Sequence, residues 1–191
     1  NNFISGKCNN IAINAGKSIS EKPGFTGFNP LMVYGGVGQG KTHLLHAIGN
    51  QIKLSNNDNR IPYVSSEKFT SEFISALKNN SLENFTNYYM SLDTLLIDDV
   101  QFLYGKEKTQ EIFFHIFNHL NLNKKQIIIS SDRSPRELDG LEKRLVSRFK
   151  WGLTVELEKP DFETRKKILK EKLSSNNIKL SEEIIDYISF E

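Results

Sequence analysis

Cysteine is nearly absent from this 191-residue chain: Cys8 stands alone, so no disulfide can form within it. That usage fits a reducing compartment, and Cys8 reads as an ordinary residue. Long apolar runs are missing too. No stretch approaches the roughly 20 residues that cross a bilayer, and the N-terminus carries no signal-like segment. A surplus of one charge is also lacking. With 25 basic and 23 acidic residues the net charge is +2, so bulk charge does not mark a nucleic-acid binder and any such surface must be local. There is no Met at position 1, and we expect a piece of a longer protein. What is present suffices for a core: 13 Phe and 38% hydrophobic residues supply one α/β domain and part of a second unit.

One stretch carries the strongest chemistry. Gly35, Gly36, Val37, Gly38, Gln39, Gly40, Lys41 and Thr42 match G-x-x-x-x-G-K-[ST] at every fixed position. The apolar run Leu31–Tyr34 before it reads as a buried parallel strand, and Thr42–Ile48 after it, including His43, reads as a helix. That strand–loop–helix order is the setting the motif requires. Glycines let the backbone turn its N–H groups around a phosphate, with the positive helix end behind them. Lys41 can reach the β- and γ-phosphates, and the Thr42 hydroxyl can ligate Mg²⁺.

The second signal is Thr94–Asp99, a buried strand ending in paired acids, the pattern of a Walker B strand. Asp98 is assigned to Mg²⁺, directly or through water, and Asp99 to orienting or activating the attacking water. A third strand end, Gln126–Ser130 followed by Ser131-Asp132-Arg133, places Asp132 where open α/β sheets bind ligands. It is either a γ-phosphate sensor or an Asp in a post-strand turn. Arg144 and Arg148, four apart on a short helix over Leu141–Phe149, either supply an arginine to a neighbour's phosphate or form surface ion pairs.

The remaining elements follow from periodicity. The helix after the phosphate loop should end near Leu54, followed by a polar loop over 55–59. Ile61–Ser65 reads as a strand, and Ser66 as the cap of a helix with Phe69, Phe73, Ile74 and Leu77 at helical spacing. A short helix follows over Leu82–Met90, and one after Gly105 buries Ile112, Phe113, Ile116, Phe117 and Leu120. His115 and His119 on that helix read as surface histidines, having no partner ligands. Trp151–Leu157 closes the sheet as a fifth strand. Two helices follow, one starting at Pro160-Asp161, the other capped by Ser181. At the other end, 11–20 reads as a helix and 22–30 as an exposed loop.

Taken together, Tyr34–Ala47, Leu96–Phe102, Ser131–Arg133, Arg144–Phe149, Trp151–Val155 and Pro160–Arg165 resemble the DnaA family of bacterial chromosomal replication initiators. The resemblance covers nearly the whole chain, in order. It implies an AAA+ P-loop NTPase: a five-stranded parallel sheet flanked by helices over 1–158, then the start of an α-helical lid over 159–191. It also implies a cytoplasmic ATPase that hydrolyses ATP slowly as a switch. ATP, rather than ADP, would drive assembly into a helical oligomer on origin DNA, which is then opened. By match, Asp132 takes the sensor I position and Arg148 that of the arginine finger, with Arg144 its companion. Phe3, Ile4 and Asn9 fall in the segment shaping the base pocket. Ile74 and Lys108 fall on positions contacting single-stranded DNA. The replicative helicase, regulators and acidic membrane lipid are further partners the resemblance allows. The family's sensor II arginine and its duplex-reading helix-turn-helix lie beyond Glu191 by this match, and no role is carried onto Met90. An AAA+ helicase loader shares the Gly-Lys-Thr-His-Leu stretch, and an initiator-inactivating paralogue would act as an interaction module. The intact phosphate loop, Asp98-Asp99 and the arginine finger favour the initiator.

Overall fold

The computed structural model describes residues 3–55 and 57–190. Asn1, Asn2, Asn56 and Glu191 lie outside the described residues, among them Asn2, which precedes Phe3 in the segment expected to shape the base pocket, and Asn56 of the polar loop expected over 55–59. Five strands, β1 (Leu31–Tyr34), β2 (Tyr63–Ser65), β3 (Thr94–Asp98), β4 (Gln126–Ser131) and β5 (Leu153–Glu156), form one parallel sheet in the order β2-β3-β4-β1-β5. The helices are α1 (Asn10–Glu21), α2 (Lys41–Ser55), α3 (Ser66–Lys78), α4 (Leu82–Met90), α5 (Glu107–Leu122), α6 (Lys143–Phe149), α7 (Phe162–Ser175) and α8 (Glu182–Phe190). Two 3₁₀ turns, Lys7–Asn9 and Val100–Leu103, precede α1 and follow β3.

Strand alternation sorts the layers. Met32, Val64, Leu95, Ile97, Ile127 and Ile129 point into a core shared with α3, α4, α5 and α6. Their neighbours Leu31, Val33, Leu96, Ile128 and Val155 point the other way, onto α1 and α2. The central strands β3 and β4 are buried at every residue, as parallel strands covered on both faces must be. This is the five-stranded, helix-flanked α/β fold expected from the sequence.

Three local expectations change. Ser65, not Ser66, caps α3: its Oγ accepts from the Lys68 N–H at 3.2 Å. Ser66 is instead the first helical residue, and its hydroxyl donates to the Asp98 carbonyl at 3.0 Å. Asp99 leaves the strand, taking a left-handed conformation with φ 58° and ψ 54°. The 22–30 segment is pinned rather than free. Asn29 Nδ2 donates to the Lys125 carbonyl at 2.8 Å, and Asn29 Oδ1 accepts from the Ile127 N–H at 3.0 Å. Gln126 adds a bond from the Gly24 N–H and one to the Phe28 carbonyl.

Beyond β5, Asp161 caps α7 by accepting from the Thr164 N–H at 2.8 Å. Arg165 donates to the Ser189 and Phe190 carbonyls at the end of α8, and Lys166 pairs with Glu182 and Asp186. The two helices thus form one packed unit. It also touches the N-terminal segment: a Cβ on Gly6 would lie 2.1 Å from Thr164 Oγ1.

Candidate nucleotide site

The loop between β1 and α2 turns on glycines in backbone conformations that would strain any other residue. Gly35 has φ 152°, and a Cβ there would lie 2.4 Å from the Leu157 carbonyl oxygen. Gly40 has φ 91° and sits beside the Phe3 ring. Lys41 is 8% exposed, and its ammonium donates to the carbonyls of Gly35 at 2.8 Å and Gly36 at 2.9 Å. The cation is therefore held against the loop, at the N-terminal end of α2 where a phosphate is favoured.

Sheet register brings the acids to this loop. Asp98 closes β3 beside Ser65 of β2 and is 2% exposed. Its Oδ2 accepts from the Thr42 hydroxyl at 2.7 Å and the Tyr63 hydroxyl at 2.6 Å. Its Oδ1 accepts from the Ser130 hydroxyl, whose oxygen in turn accepts from the Asp99 N–H at 2.9 Å. Burial, then the hydrogen bond and charge of Asp98, push the Tyr63 phenol far above its ordinary pKa, so it stays a donor at every working pH. Asp98 is thus a buried carboxylate held by three hydroxyls. The Thr42–Asp98 pair presents adjacent hard oxygen donors, which suits Mg²⁺. No group of three or more His, Cys, Asp or Glu side chains forms a metal cage among the described residues. An ion here would draw its other ligands from phosphate and water, as Mg²⁺ does.

Asp99, Asp132, Gln101 and Phe102 share a cleft of about 680 Å³ with Val37, Gly38 and Gly40 to His43. The cleft lies at the carboxyl ends of β1, β3 and β4, where open α/β sheets take ligands. Asp132 Oδ1 is buried without a hydrogen-bond partner. Arg133 Nε lies 3.8 Å away, close enough for charge attraction and too far for a hydrogen bond.

A second, smaller cleft of about 200 Å³ brings together Phe3, Ile4 and Asn9, the loop at Gly38 to Gly40, His43, and Ile168 and Lys172 of α7. The Phe3 and His43 rings meet edge to face at 5.1 Å, and burial, then neighbouring His46, lowers the His43 pKa. Asn9 is not free to face a ligand with its whole amide. It closes the segment, donating to the Ile4 carbonyl and accepting from the Gly6 N–H, both at 2.9 Å.

The other expected residues lie apart from these clefts. Arg144 pairs with Glu142 and stacks over Phe114 at 4.4 Å. Arg148 lies 5.6 Å from the Trp151 ring. Ile74 on α3 is 44% exposed and Lys108, near the start of α5, is exposed. His115 is exposed and His119 half-buried. Sequence reasoning missed Tyr63, Ser130 and Gln101. Ser130 and Gln101 stand at or just past the carboxyl ends of β4 and β3, which is the signal that would have raised them; Tyr63 opens β2, and no local signal marks it.

A family model described as the bacterial DnaA ATPase domain matches residues 1–156. The chain is 48% identical over 188 residues to the chromosomal replication initiator protein DnaA of Flavobacterium psychrophilum, covering 98% of this chain and 39% of that protein. It therefore spans well under half the length of the curated relatives it matches. Domain III of DnaA from Thermotoga maritima is similar at TM-score 0.94 and 44% identity, over 98% of this chain and 78% of that one. A structure of replication initiator DnaA bound to AMPPCP and single-stranded DNA is similar at TM-score 0.91 and 49% identity, over 98% of this chain and 58% of that one. The DnaC helicase loader, at 17% identity and TM-score 0.70 over 82% of this chain and 93% of that one, shares the fold alone.

Proposed function

Because the chain belongs to the bacterial DnaA ATPase-domain family, we propose that it binds ATP and hydrolyses it slowly, as the nucleotide switch of a replication initiator in the cytoplasm. The observation that carries this reading is that Lys41, Thr42, Asp99 and Asp132 line one cleft, with the buried Asp98 behind it hydrogen-bonded to Thr42. Lys41 exchanges its loop carbonyls for the β- and γ-phosphate oxygens. Thr42 and Asp98 hold Mg²⁺, which when bound neutralises charge on the phosphates. Asp99 orients the attacking water and takes its proton. Asp132, with an unpartnered buried oxygen, senses the γ-phosphate end. Phe3, Ile4, Asn9 and His43 border the base. ATP-bound copies assemble through Arg148, and the assembly engages single-stranded origin DNA through Ile74 and Lys108. The extension 159–191 acts as the beginning of the lid over the nucleotide. Helicase loading is disfavoured, since that likeness stops at the fold.

Two variants test the site together by equilibrium nucleotide titration and hydrolysis assay. Lys41→Ala should weaken ATP binding about a hundredfold or more, because charge-assisted hydrogen bonds contribute about 1.5–3 kcal/mol each. Asp99→Asn should bind ATP within about threefold of the unsubstituted protein while hydrolysis falls by about 10²–10⁴. Undiminished binding by Lys41→Ala would overturn the phosphate-loop assignment. Parallel loss of binding and hydrolysis in Asp99→Asn would make Asp99 a metal or structural residue.

A further inference from the structure

Gln101 lies in the 3₁₀ turn Val100–Leu103 and is half-buried at the wall of the larger cleft. Its amide nitrogen donates to Asp99 Oδ1 at 3.0 Å. Its amide oxygen accepts from the backbone N–H of Asp132 at 3.3 Å. The amide can sit only one way round here, since a carboxylate only accepts and an N–H only donates. One side chain therefore joins the ends of β3 and β4 across the cleft. The residue it holds needs holding. Asp99 has φ 58°, and the left-handed region costs an L-residue other than glycine about 1–2 kcal/mol, less for Asp and Asn. Such a conformation persists only when its surroundings impose it. The Ser130 hydroxyl fixes the Asp99 backbone N–H, and Gln101 fixes its carboxylate. With Oδ1 taken by Gln101, no described residue hydrogen-bonds Oδ2 of Asp99.

We propose that Gln101 is a positioning residue for ATP hydrolysis, which aims the free Oδ2 of Asp99 at the attacking water and links Asp99 to Asp132. The proposal rests on the reading of Asp99 as the water-orienting group. Glutamine is the side chain this place requires. Glutamate could accept from the Asp132 N–H but could not donate to Asp99 when ionised, and would set a like charge against it. Methionine has the length and neither bond. Gln101 also gives the cleft a path from the γ-phosphate end to the water: a shift of Asp132 pulls on the same amide that holds Asp99. Gln101 makes no hydrogen bond to Lys41 or to the Thr42–Asp98 pair, so its loss should affect hydrolysis far more than ATP binding.

A double-mutant cycle on single-turnover hydrolysis tests this, using Gln101→Met, Asp99→Asn and the pair, with ATP affinity and thermal melting measured on each. Gln101→Met should hydrolyse about ten- to a hundredfold more slowly, the range expected when a reacting group is misplaced by about an ångström. Its ATP affinity should stay within about twofold and kcat, not KM, should carry the loss. In the Asp99→Asn background, Gln101→Met should change the rate by less than about twofold, because it acts through the carboxylate already removed. An unaltered rate for Gln101→Met would overturn the proposal, as would an equal loss in both backgrounds. Full hydrolysis by Asp99→Asn alone would overturn the Asp99 assignment first, and the role of Gln101 with it. Should Gln101→Met fail to fold, Gln101→Asn is too short by one methylene to reach both partners. A folded Gln101→Asn protein with full hydrolysis would overturn the proposal equally.

Discussion

Arg144 and Arg148 share a helix but not a situation. The Arg144 guanidinium is paired with Glu142 and stacked on Phe114, so its charge is answered within its own subunit. Arg148 is half-buried, has no ion pair among the described residues, and lies 5.6 Å from the ring of Trp151, a residue 70% exposed. An arginine that must reach a phosphate on another copy should be free of carboxylates and supported against collapse, and Arg148 meets both conditions. In the full-length protein, Arg148→Ala should leave ATP affinity of the monomer within about twofold. ATP-dependent assembly, followed by light scattering, should weaken about ten- to a hundredfold, since a charge-assisted contact contributes about 1.5–3 kcal/mol. Arg144→Ala should do less, because its charge is already answered by Glu142 on the surface of its own subunit. Normal assembly by Arg148→Ala would transfer the finger role to Arg144.

Among the elements, what was legible in the sequence is what local pattern determines. Short apolar runs marked the strands over Leu31–Tyr34, Thr94–Asp98 and Gln126–Ser130, Ile61–Ser65 was marked with Pro62 at its start, alternation marked the fifth strand over Trp151–Leu157, and the 3.6-residue spacing of Phe113, Ile116, Phe117 and Leu120 marked α5. The phosphate loop and the Asp98-Asp99 pair were legible because their chemistry demands contiguous residues. Contacts set by strand order were not. Tyr63 and Ser130 meet Asp98 only because β2 and β4 flank β3, and nothing near position 98 announces either. Of two adjacent serines, local pattern points to the wrong one: Ser66 reads as the α3 cap, but Ser65 caps the helix and Ser66 donates its hydroxyl to the Asp98 carbonyl. The 22–30 segment, rich in turn formers, read as exposed, yet Asn29 acts as one more pairing position ahead of β1. Its amide satisfies the Lys125 carbonyl and the Ile127 N–H just where β4 begins. Asn29→Ala should therefore destabilise the domain by about 1–3 kcal/mol in urea unfolding, the cost of leaving buried partners unmet. ATP affinity of the folded protein should not change. Stability equal to that of the unsubstituted chain would return 22–30 to the status of a solvated loop.

At the scale of the whole molecule, the near balance of charge decides how a DNA contact must work. With a net charge of +2, the domain offers no broad field to a polyanion, so affinity must come from a few local cations and from apolar contact. Ile74 was placed by its spacing on an apolar helix face, yet it is 44% exposed, a position open to pack on sugar or base. Lys108 is exposed at the second residue of α5. The two helices are neighbours through the 3₁₀ turn Val100–Leu103, whose Val100 and Leu103 sit in the core that α3 and α5 share. Neither Ile74 nor Lys108 lines the phosphate cleft or the base-side cleft. The proposed DNA contact and the proposed nucleotide contact should therefore be separable by mutation. Lys108→Ala in the ATP-assembled protein should weaken single-strand binding and flatten the slope of log affinity against log salt by about 0.7, the value for one phosphate contact on a single strand. Affinity for ATP should stay as it was. Fluorescence anisotropy with a labelled single strand, repeated across a salt series with ATP present, measures both quantities at once. An unchanged slope with unchanged affinity would remove Lys108 from the DNA path. A weaker affinity at an unchanged slope would mean the lysine acts on assembly rather than on phosphate, because only a lost ionic contact changes the number of counterions released.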